Sequence, residues 1–126
     1  MSGKIIIPNG ANVWPHELQS AKALAAFGYT VEFIPARQES GIATADVVID
    51  NLSWEMKAPT GKTLSSIEKN LRRGSKQANN IIFDSRRMKR IPDKAIVREL
   101  SAKLHHISKI ERIIFINRHG AIIDIT

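Results

Sequence analysis

The sequence predicts one α/β or α+β domain, residues 1–126, in which a central mixed β-sheet is flanked by helices. Short β-branched runs bounded by turn residues indicate strands. Longer segments with apolar residues three or four positions apart indicate helices, and the two kinds of segment interleave along the chain. Because a sheet covered by helices buries such strands best, we expect helices packed on the sheet.

Each element has a local signal. Pro15 suits a helix start and Gly28 a helix end, while Asp50-Asn51 and His119-Gly120 are turn signals between strands. We predict helices at 16–27, 64–77 and 94–106, and strands at 5–8, 29–34, 46–49, 52–57, 81–84, 110–117 and 121–125. The large aromatic side chains predicted to lie in the core are Trp14, Trp54 and Phe83.

Composition excludes several classes of protein. The absence of cysteine excludes disulfides and thiolate metal sites. No apolar run approaches the ~20 residues that a transmembrane helix needs. We therefore expect no membrane span, and action in a cytoplasm.

Positive charge is concentrated in one part of the chain. The formal net charge is +7, and residues 57–112 carry fifteen Lys and Arg against five Asp and Glu, whereas the remainder carries four against seven. This asymmetry indicates a polyanion-binding surface beside a site made of carboxylates. The alternative is a basic surface that only keeps the protein dispersed.

A candidate site follows from the predicted hairpin at 46–57. Counting outward from a two-residue turn at Asp50-Asn51 places Asp46 opposite Glu55, with Cβ atoms about 4.5–5.5 Å apart on one face. Lys57 is two residues further and projects from the same face. A three-residue turn would instead place Asp46 opposite Met56. The side chains expected on the other, core-facing side are Val47, Ile49, Trp54 and Met56.

Adjacent carboxylates repel each other unless a cation offsets their charge. Mg²⁺ or Mn²⁺ would do so at oxygen ligands, and Lys57 would orient water or stabilise charge in a phosphoryl transition state. Glu17 lies in the first turn of the first helix. It would complete the metal shell, or its negative charge would only interact favourably with the helix dipole. The predicted catalytic residues are thus Glu17, Asp46, Glu55 and Lys57, the first three as metal ligands. The alternative is that they are ordinary polar positions.

Basic side chains follow the Glu-x-Lys strand. Those on the predicted helix are three and four residues apart and would share a face, where they would position a nucleic-acid backbone without reading sequence. A solvated outer face is the alternative. The predicted nucleic-acid contacts are Lys62, Lys69, Arg72, Arg73, Lys76 and Gln77, and a second run that would extend them is Arg86, Arg87, Lys89 and Arg90.

Two family resemblances follow from these residues. Glu17 on a helix, then Asp46, then Glu55-Met56-Lys57 on the next strand resembles the PD-(D/E)xK nuclease superfamily, although Ala45 stands where that pattern has proline. Longer stretches resemble the C-terminal toxin domains of contact-dependent growth-inhibition (CdiA-type) proteins; they are Pro15-His16-Glu17, Thr44-Ala45-Asp46, residues 54–62 and residues 70–77.

The resemblance to PD-(D/E)xK nucleases implies a restriction-endonuclease-like fold. The resemblance to CdiA-type toxin domains implies a tRNase that acts in the cytoplasm of a target cell. It also implies delivery as the C-terminal part of a larger secreted or surface protein, and inhibition by a cognate immunity protein. We expect that partner to be acidic, and the toxin to be a monomer outside the complex.

Three other functions remain open. A metal-independent RNase would use His16, the best placed histidine, in general acid–base catalysis. A DNA endonuclease of the resolvase or restriction type could use the same metal site. A nucleic-acid-binding module would bind without cleaving. His105 and His106 are expected to end a helix, and His119 to occupy a turn.

Overall fold

The computed structural model of the protein describes residues 2–35 and 44–126. In these residues seven strands form one sheet, and their order in the sheet follows their order in the chain. The elements are β1 (Ile5–Ile6), α1 (Pro15–Phe27), β2 (Val31–Phe33), β3 (Val47–Ile49), β4 (Leu52–Lys57), α2 (Leu64–Gly74), β5 (Asn80–Asp84), α3 (Asp93–His106), β6 (Arg112–Ile116) and β7 (Ile122–Ile125).

The sheet is mixed, as predicted. β4, β5 and β6 are parallel neighbours, and the helices α2 and α3 form the two crossovers between them, as parallel pairing requires. The hairpins β3–β4 and β6–β7 are antiparallel. The predicted fold class, a mixed sheet flanked by helices, is confirmed.

Each face of the sheet has its own core. On one face α1 contributes Ala21 and Leu24 to a cluster with Trp54 and Met56. On the other face α2 and α3 contribute Ile67, Leu71, Ile96 and Leu100. Glu55 pairs with Ile81 and Lys57 with Phe83 in the β4–β5 ladder, and both partners belong to the second cluster. The site residues of β4 therefore lie on the face covered by α2.

Two predictions about this architecture were wrong. α2 ends at Gly74, so Lys76 and Gln77 follow the helix instead of belonging to it. Trp14 is 59% exposed, whereas Trp54 and Phe83 are buried as predicted. Trp14 precedes the first residue of α1, and the buried face of that helix is formed further along by small and aliphatic side chains. The predicted loop at 35–44 lies largely outside the described residues. No helix in the described part of the chain is long and apolar enough to cross a membrane.

Candidate active site

The β3–β4 hairpin has the predicted register. Asp50 and Asn51 have φ values of 53° and 64°, as a tight two-residue hairpin turn with two left-handed residues requires. Ile49 pairs with Leu52, Val48 with Ser53, and Val47 with Trp54. The pairs place Trp54 in the core and Glu55 on the opposite face, as expected.

The ladder ends before Asp46, which is therefore not a regular partner of Glu55. The Asp46 N–H donates to the Trp54 carbonyl at 3.0 Å, although Trp54 already pairs with Val47. This offset turns the Asp46 carboxylate toward β4, where Oδ2 accepts a hydrogen bond from the Met56 N–H at 2.8 Å. Asp46 reaches Glu55 through this side-chain anchor rather than through strand pairing.

Glu55 is a buried acid with an unsatisfied oxygen. The residue is 7% exposed, and its Oε1 has no hydrogen-bond partner within residues 2–35 and 44–126. Its Oε2 lies 3.5 Å from Lys57 Nζ. Burial, followed by the negative charge of Asp46, raises the pKa of Glu55 to about 8. Near neutral pH the Glu55 carboxyl group therefore holds a proton, as one of two closely placed acids does when no cation is present.

Helix α2 closes over these two side chains at a glycine. A Cβ on Gly74 would stand 3.2 Å from Ile81 Cδ1, 3.4 Å from Lys57 Cε and 3.5 Å from Glu55 Cγ. The absence of a side chain at Gly74 thus lets the end of α2 pack directly on the stems of Glu55 and Lys57. The helix holds both functional groups toward the end of β4.

Glu17 reaches the same region from the first turn of α1. Its Oε1 accepts a hydrogen bond from the Trp14 N–H at 2.9 Å, which satisfies a free donor at the helix start. Burial raises the pKa of Glu17, the Trp14 N–H lowers it, and the charge of Asp46 raises it further. Glu17 is thus a helix cap and a neighbour of Asp46 at once.

An open cavity of about 360 Å³ brings the four predicted catalytic residues together. Its lining also includes His16, the residue predicted for the metal-independent alternative, and Asn70, which the sequence did not predict. Asn70 is one helical turn before Gly74 on α2, so its position follows from helical spacing once the packing of Gly74 is known. The full lining is Trp14, His16, Glu17, Asp46, Glu55, Met56, Lys57, Ala58, Pro59 and Asn70.

The fit of a divalent cation rests on two carboxylates. The unpartnered, buried Oε1 of Glu55 and the neighbouring Asp46 carboxylate are hard oxygen donors. Within residues 2–35 and 44–126, no three or more Asp, Glu or His side chains are grouped closely enough to hold a metal ion together. Mg²⁺ is commonly held by one or two carboxylates together with substrate phosphates and waters. Asp46 and Glu55 fit that requirement, whereas Glu17 lines the cavity without joining a three-ligand group.

The predicted nucleic-acid-binding residues are all exposed, but they do not form one uniform stripe. Arg72 donates to Glu68 at 2.8 Å, and Glu68 is also 3.0 Å from Lys103 on α3. Arg72 and Lys76 line a groove of about 480 Å³ between the ends of α2 and α3. Gln77 accepts a hydrogen bond from the Thr44 N–H at 3.1 Å, close to Asp46 in the chain. The remaining exposed members of the set are Lys62, Lys69 and Arg73.

In the second basic run, residues 86–90, Arg86 has a structural role and Arg87 lines a cavity. Arg86 donates Nη2 to Asp84 Oδ2 at 2.7 Å and Nε to Oδ1 at 3.0 Å, and Asp84 is only 3% exposed. Arg86 therefore balances a buried charge, a role that its place in a basic run does not reveal. Arg87 donates to the Ala58 carbonyl and lines a second cavity, of about 240 Å³, which shares His16 and Ala58 with the first.

Comparison with known proteins identifies the family. The family model for the contact-dependent growth inhibition CdiA C-terminal domain matches residues 43–122. The fold is similar to that of a solved CdiA-CT/CdiI toxin and immunity complex from Burkholderia pseudomallei, with a TM-score of 0.75 and 23% identity over 98% of this chain and 99% of that chain. No match was found among curated proteins. Because the family match spans well over half of the chain, this protein belongs to the CdiA C-terminal domain family of contact-dependent growth inhibition.

Proposed function

We propose that this domain is a metal-dependent nuclease toxin that hydrolyses phosphodiester bonds of tRNA. The observation that carries the proposal is that Asp46, Glu55 and Lys57 line one cavity, where a buried Glu55 oxygen lacks a partner in the described part of the chain. A carboxylate pair beside a lysine is the donor set expected for phosphodiester hydrolysis at a hard cation. The choice of tRNA rests on the resemblance to CdiA-type toxins.

Asp46 and Glu55 would hold Mg²⁺ or Mn²⁺, and Glu17 is the third candidate ligand. The bound ion would supply Lewis-acid polarisation of a phosphoryl oxygen and a lower pKa for bound water. Met56 keeps Asp46 in position through its N–H. Gly74 keeps Glu55 in position by allowing α2 to pack against its stem.

Lys57 would act on the reacting phosphate. Its side chain is 22% exposed and its Nζ lies 3.5 Å from Glu55 Oε2, so its charge is only partly screened by water. It would orient the attacking water or stabilise the charge that develops on the phosphoryl oxygens. Asn70 adds a side-chain amide to the same cavity, which would hydrogen-bond a non-bridging oxygen.

The exposed basic residues would hold the RNA backbone outside the cavity. α2 packs directly on the stems of Glu55 and Lys57 at Gly74, so its outward-facing cations are close to the cleavage site. Such contacts add affinity that falls steeply with salt, without sequence preference. The residues proposed for this role are Lys62, Lys69, Arg72, Arg73, Lys76 and Gln77.

We further propose a cognate immunity protein as the partner. The structurally similar toxin from Burkholderia pseudomallei was solved with its immunity protein. A net charge of +7 would favour an acidic inhibitor. The domain would be the C-terminal part of a larger secreted or surface protein, would act in the cytoplasm of the target cell, and would be a monomer outside the immunity complex.

The test is incubation of the purified domain with total tRNA and with plasmid DNA, each with Mg²⁺ and with excess EDTA. We expect tRNA fragments only when Mg²⁺ is present. Cleavage of plasmid instead of tRNA would assign the domain to the DNA endonucleases. Salt-dependent RNA binding with unchanged RNA length would make it a non-catalytic binding module.

A metal-independent RNase is the second candidate, and one observation favours it. His16 and Glu55 line the same cavity. The pKa of Glu55, about 8, suits a general acid near neutral pH. In this mechanism the 2′-hydroxyl of RNA would be the nucleophile. Full cleavage in EDTA, with no cleavage of DNA and with loss of activity in His16→Ala, would establish this mechanism in place of the metal-dependent one.

A further inference from the structure

Trp14 stands at the mouth of the carboxylate cavity with most of its side chain in solvent. It is 59% exposed, and it lines the same cavity as Asp46, Glu55 and Lys57. The other tryptophan of the chain, Trp54, is 1% exposed and lies in the core. Large aromatic side chains contribute most to stability when they are buried, so the fold gains little from the Trp14 indole.

The main chain at Trp14 is nevertheless tied to the site. Its N–H donates to Glu17 Oε1 at 2.9 Å, and Pro15 begins α1 immediately afterwards. These two features anchor the backbone at the start of α1, so the flat apolar ring is carried at the edge of a polar cavity. Because the lining of that cavity includes Lys57, the edge suits a ligand with a planar apolar part next to an anionic part.

We propose that Trp14 is a stacking platform for an unpaired nucleobase adjacent to the phosphate that is cleaved. The inference rests on the proposed nuclease function and makes its substrate more specific. An aromatic side chain stacks on any base because every base has a π-face, but a base inside a duplex does not offer that face. The substrate would therefore be a single-stranded segment or a loop, with little sequence preference at the stacked position.

Tryptophan fluorescence distinguishes a base-stacking role of Trp14 from exposure to solvent without ligand binding. Because Trp54 is buried, quenching by a ligand at the surface reports on Trp14. The Lys57→Ala variant would be used so that cleavage does not consume the ligand. It would be titrated with a single-stranded RNA oligonucleotide and, separately, with the same sequence as a duplex. We expect the single strand to quench the emission and to shield Trp14 from acrylamide, and the duplex to do neither at equal phosphate concentration.

Cleavage kinetics provide the second readout. We expect Trp14→Ala to raise KM for a single-stranded substrate by roughly 5- to 150-fold, the range that stacking on one base supplies. Trp14→Phe should recover much of this loss. Phe27→Ala is the matched control, because Phe27 is 60% exposed at the other end of α1; it should leave KM unchanged.

Three results would overturn the stacking role: equal quenching by duplex and single strand, an unchanged KM in Trp14→Ala, or a loss confined to binding of the immunity protein. The last would make Trp14 an anchor for the inhibitor. If the wild-type domain cleaves no nucleic acid but the single strand still quenches Trp14, the nuclease function fails while the base-binding site stands. If cleavage occurs and Trp14→Ala equals the wild type, only the stacking role fails.

Discussion

The carboxyl groups of Asp46 and Glu55 line one cavity at the end of the β3–β4 hairpin, and the pKa of Glu55 is raised to about 8, first by burial and then by the charge of Asp46. Asp46 is held in this position by the Met56 N–H, which donates to its carboxylate at 2.8 Å. The fold therefore maintains an arrangement that is electrostatically unfavourable once both groups are ionised. Such an arrangement is expected where a cation or a proton has a functional place.

Stability should fall with rising pH because of Glu55. In the unfolded chain its pKa returns to about 4.5, so between pH 4.5 and about 8 the folded state holds a proton that the unfolded state has released. The contribution of Glu55 is fully present below pH 4.5 and is lost as the pH rises through about 8. We expect Glu55→Gln to flatten this part of the curve relative to the wild type, in urea unfolding of metal-free protein. Parallel curves for the two proteins would contradict the raised pKa.

Divalent cations should stabilise the folded domain through the same pair. Binding only to the folded state at a hundredfold excess over Kd adds about 2.7 kcal/mol to the free energy of unfolding. We expect Mg²⁺ or Mn²⁺ to raise the thermal midpoint of the wild type at pH 8 by several degrees, and to leave Asp46→Asn and Glu55→Gln unchanged. Glu17→Gln tests whether Glu17 is the third ligand, since a shift of the thermal midpoint between those of the wild type and the other two variants would support that role. Equal shifts in all four proteins would place the ion elsewhere.

Gly74→Ala should impair activity more than stability. The new methyl group would press on Ile81 Cδ1 at 3.2 Å and Lys57 Cε at 3.4 Å, so α2 or the site residues must move by a few tenths of an ångström. Small misplacements of catalytic groups cost up to about 100-fold in rate. Alanine is also the better helix former, by about 0.5–1 kcal/mol. We expect Gly74→Ala to cleave about 10- to 100-fold more slowly than the wild type, with a free energy of unfolding within about 1 kcal/mol of the wild-type value. A full rate would show that α2 does not position Lys57.

Arg86→Met should destabilise the fold by about 3 kcal/mol or more, because it leaves the buried Asp84 carboxylate without its cation. Arg72→Met is the matched control, since Arg72 is exposed and its partner Glu68 keeps Lys103; it should cost less than about 1 kcal/mol. The double variant Asp84→Asn/Arg86→Met should recover part of the loss. If the two single arginine variants unfold at the same urea concentration, Arg86 has no structural role.

The turn and most of the register of the β3–β4 hairpin could be predicted from the sequence. Positive φ values at Asp50 and Asn51 are what a tight Asp-Asn turn predicts, and the register from Ile49–Leu52 to Val47–Trp54 follows from it by counting. Counting failed one residue later, because the Asp46 N–H bonds to Trp54 out of register. The contact between the carboxyl groups was anticipated, but the side-chain anchor on Met56 that produces it depends on three-dimensional geometry.

Other features depended on packing that no local pattern encodes. The sequence predicts Trp14 in the core, yet its place before α1 leaves it exposed at the cavity mouth. Arg86 belongs to a basic run in the sequence, and only its contact with the buried Asp84 distinguishes it from its neighbours. Asn70 became a site residue because Gly74, one turn later, brings α2 onto β4.

The measurement that tests the central claim most directly is the single-turnover cleavage rate of tRNA by the wild type, Asp46→Ala and Lys57→Ala in Mg²⁺, with Lys22→Ala as the control at an exposed lysine of α1. If the cavity is the hydrolytic site, both site variants should cleave at least about 100-fold more slowly while their circular dichroism spectra and thermal midpoints show an intact fold, and Lys22→Ala should match the wild type. Wild-type rates in folded Asp46→Ala and Lys57→Ala would contradict the account.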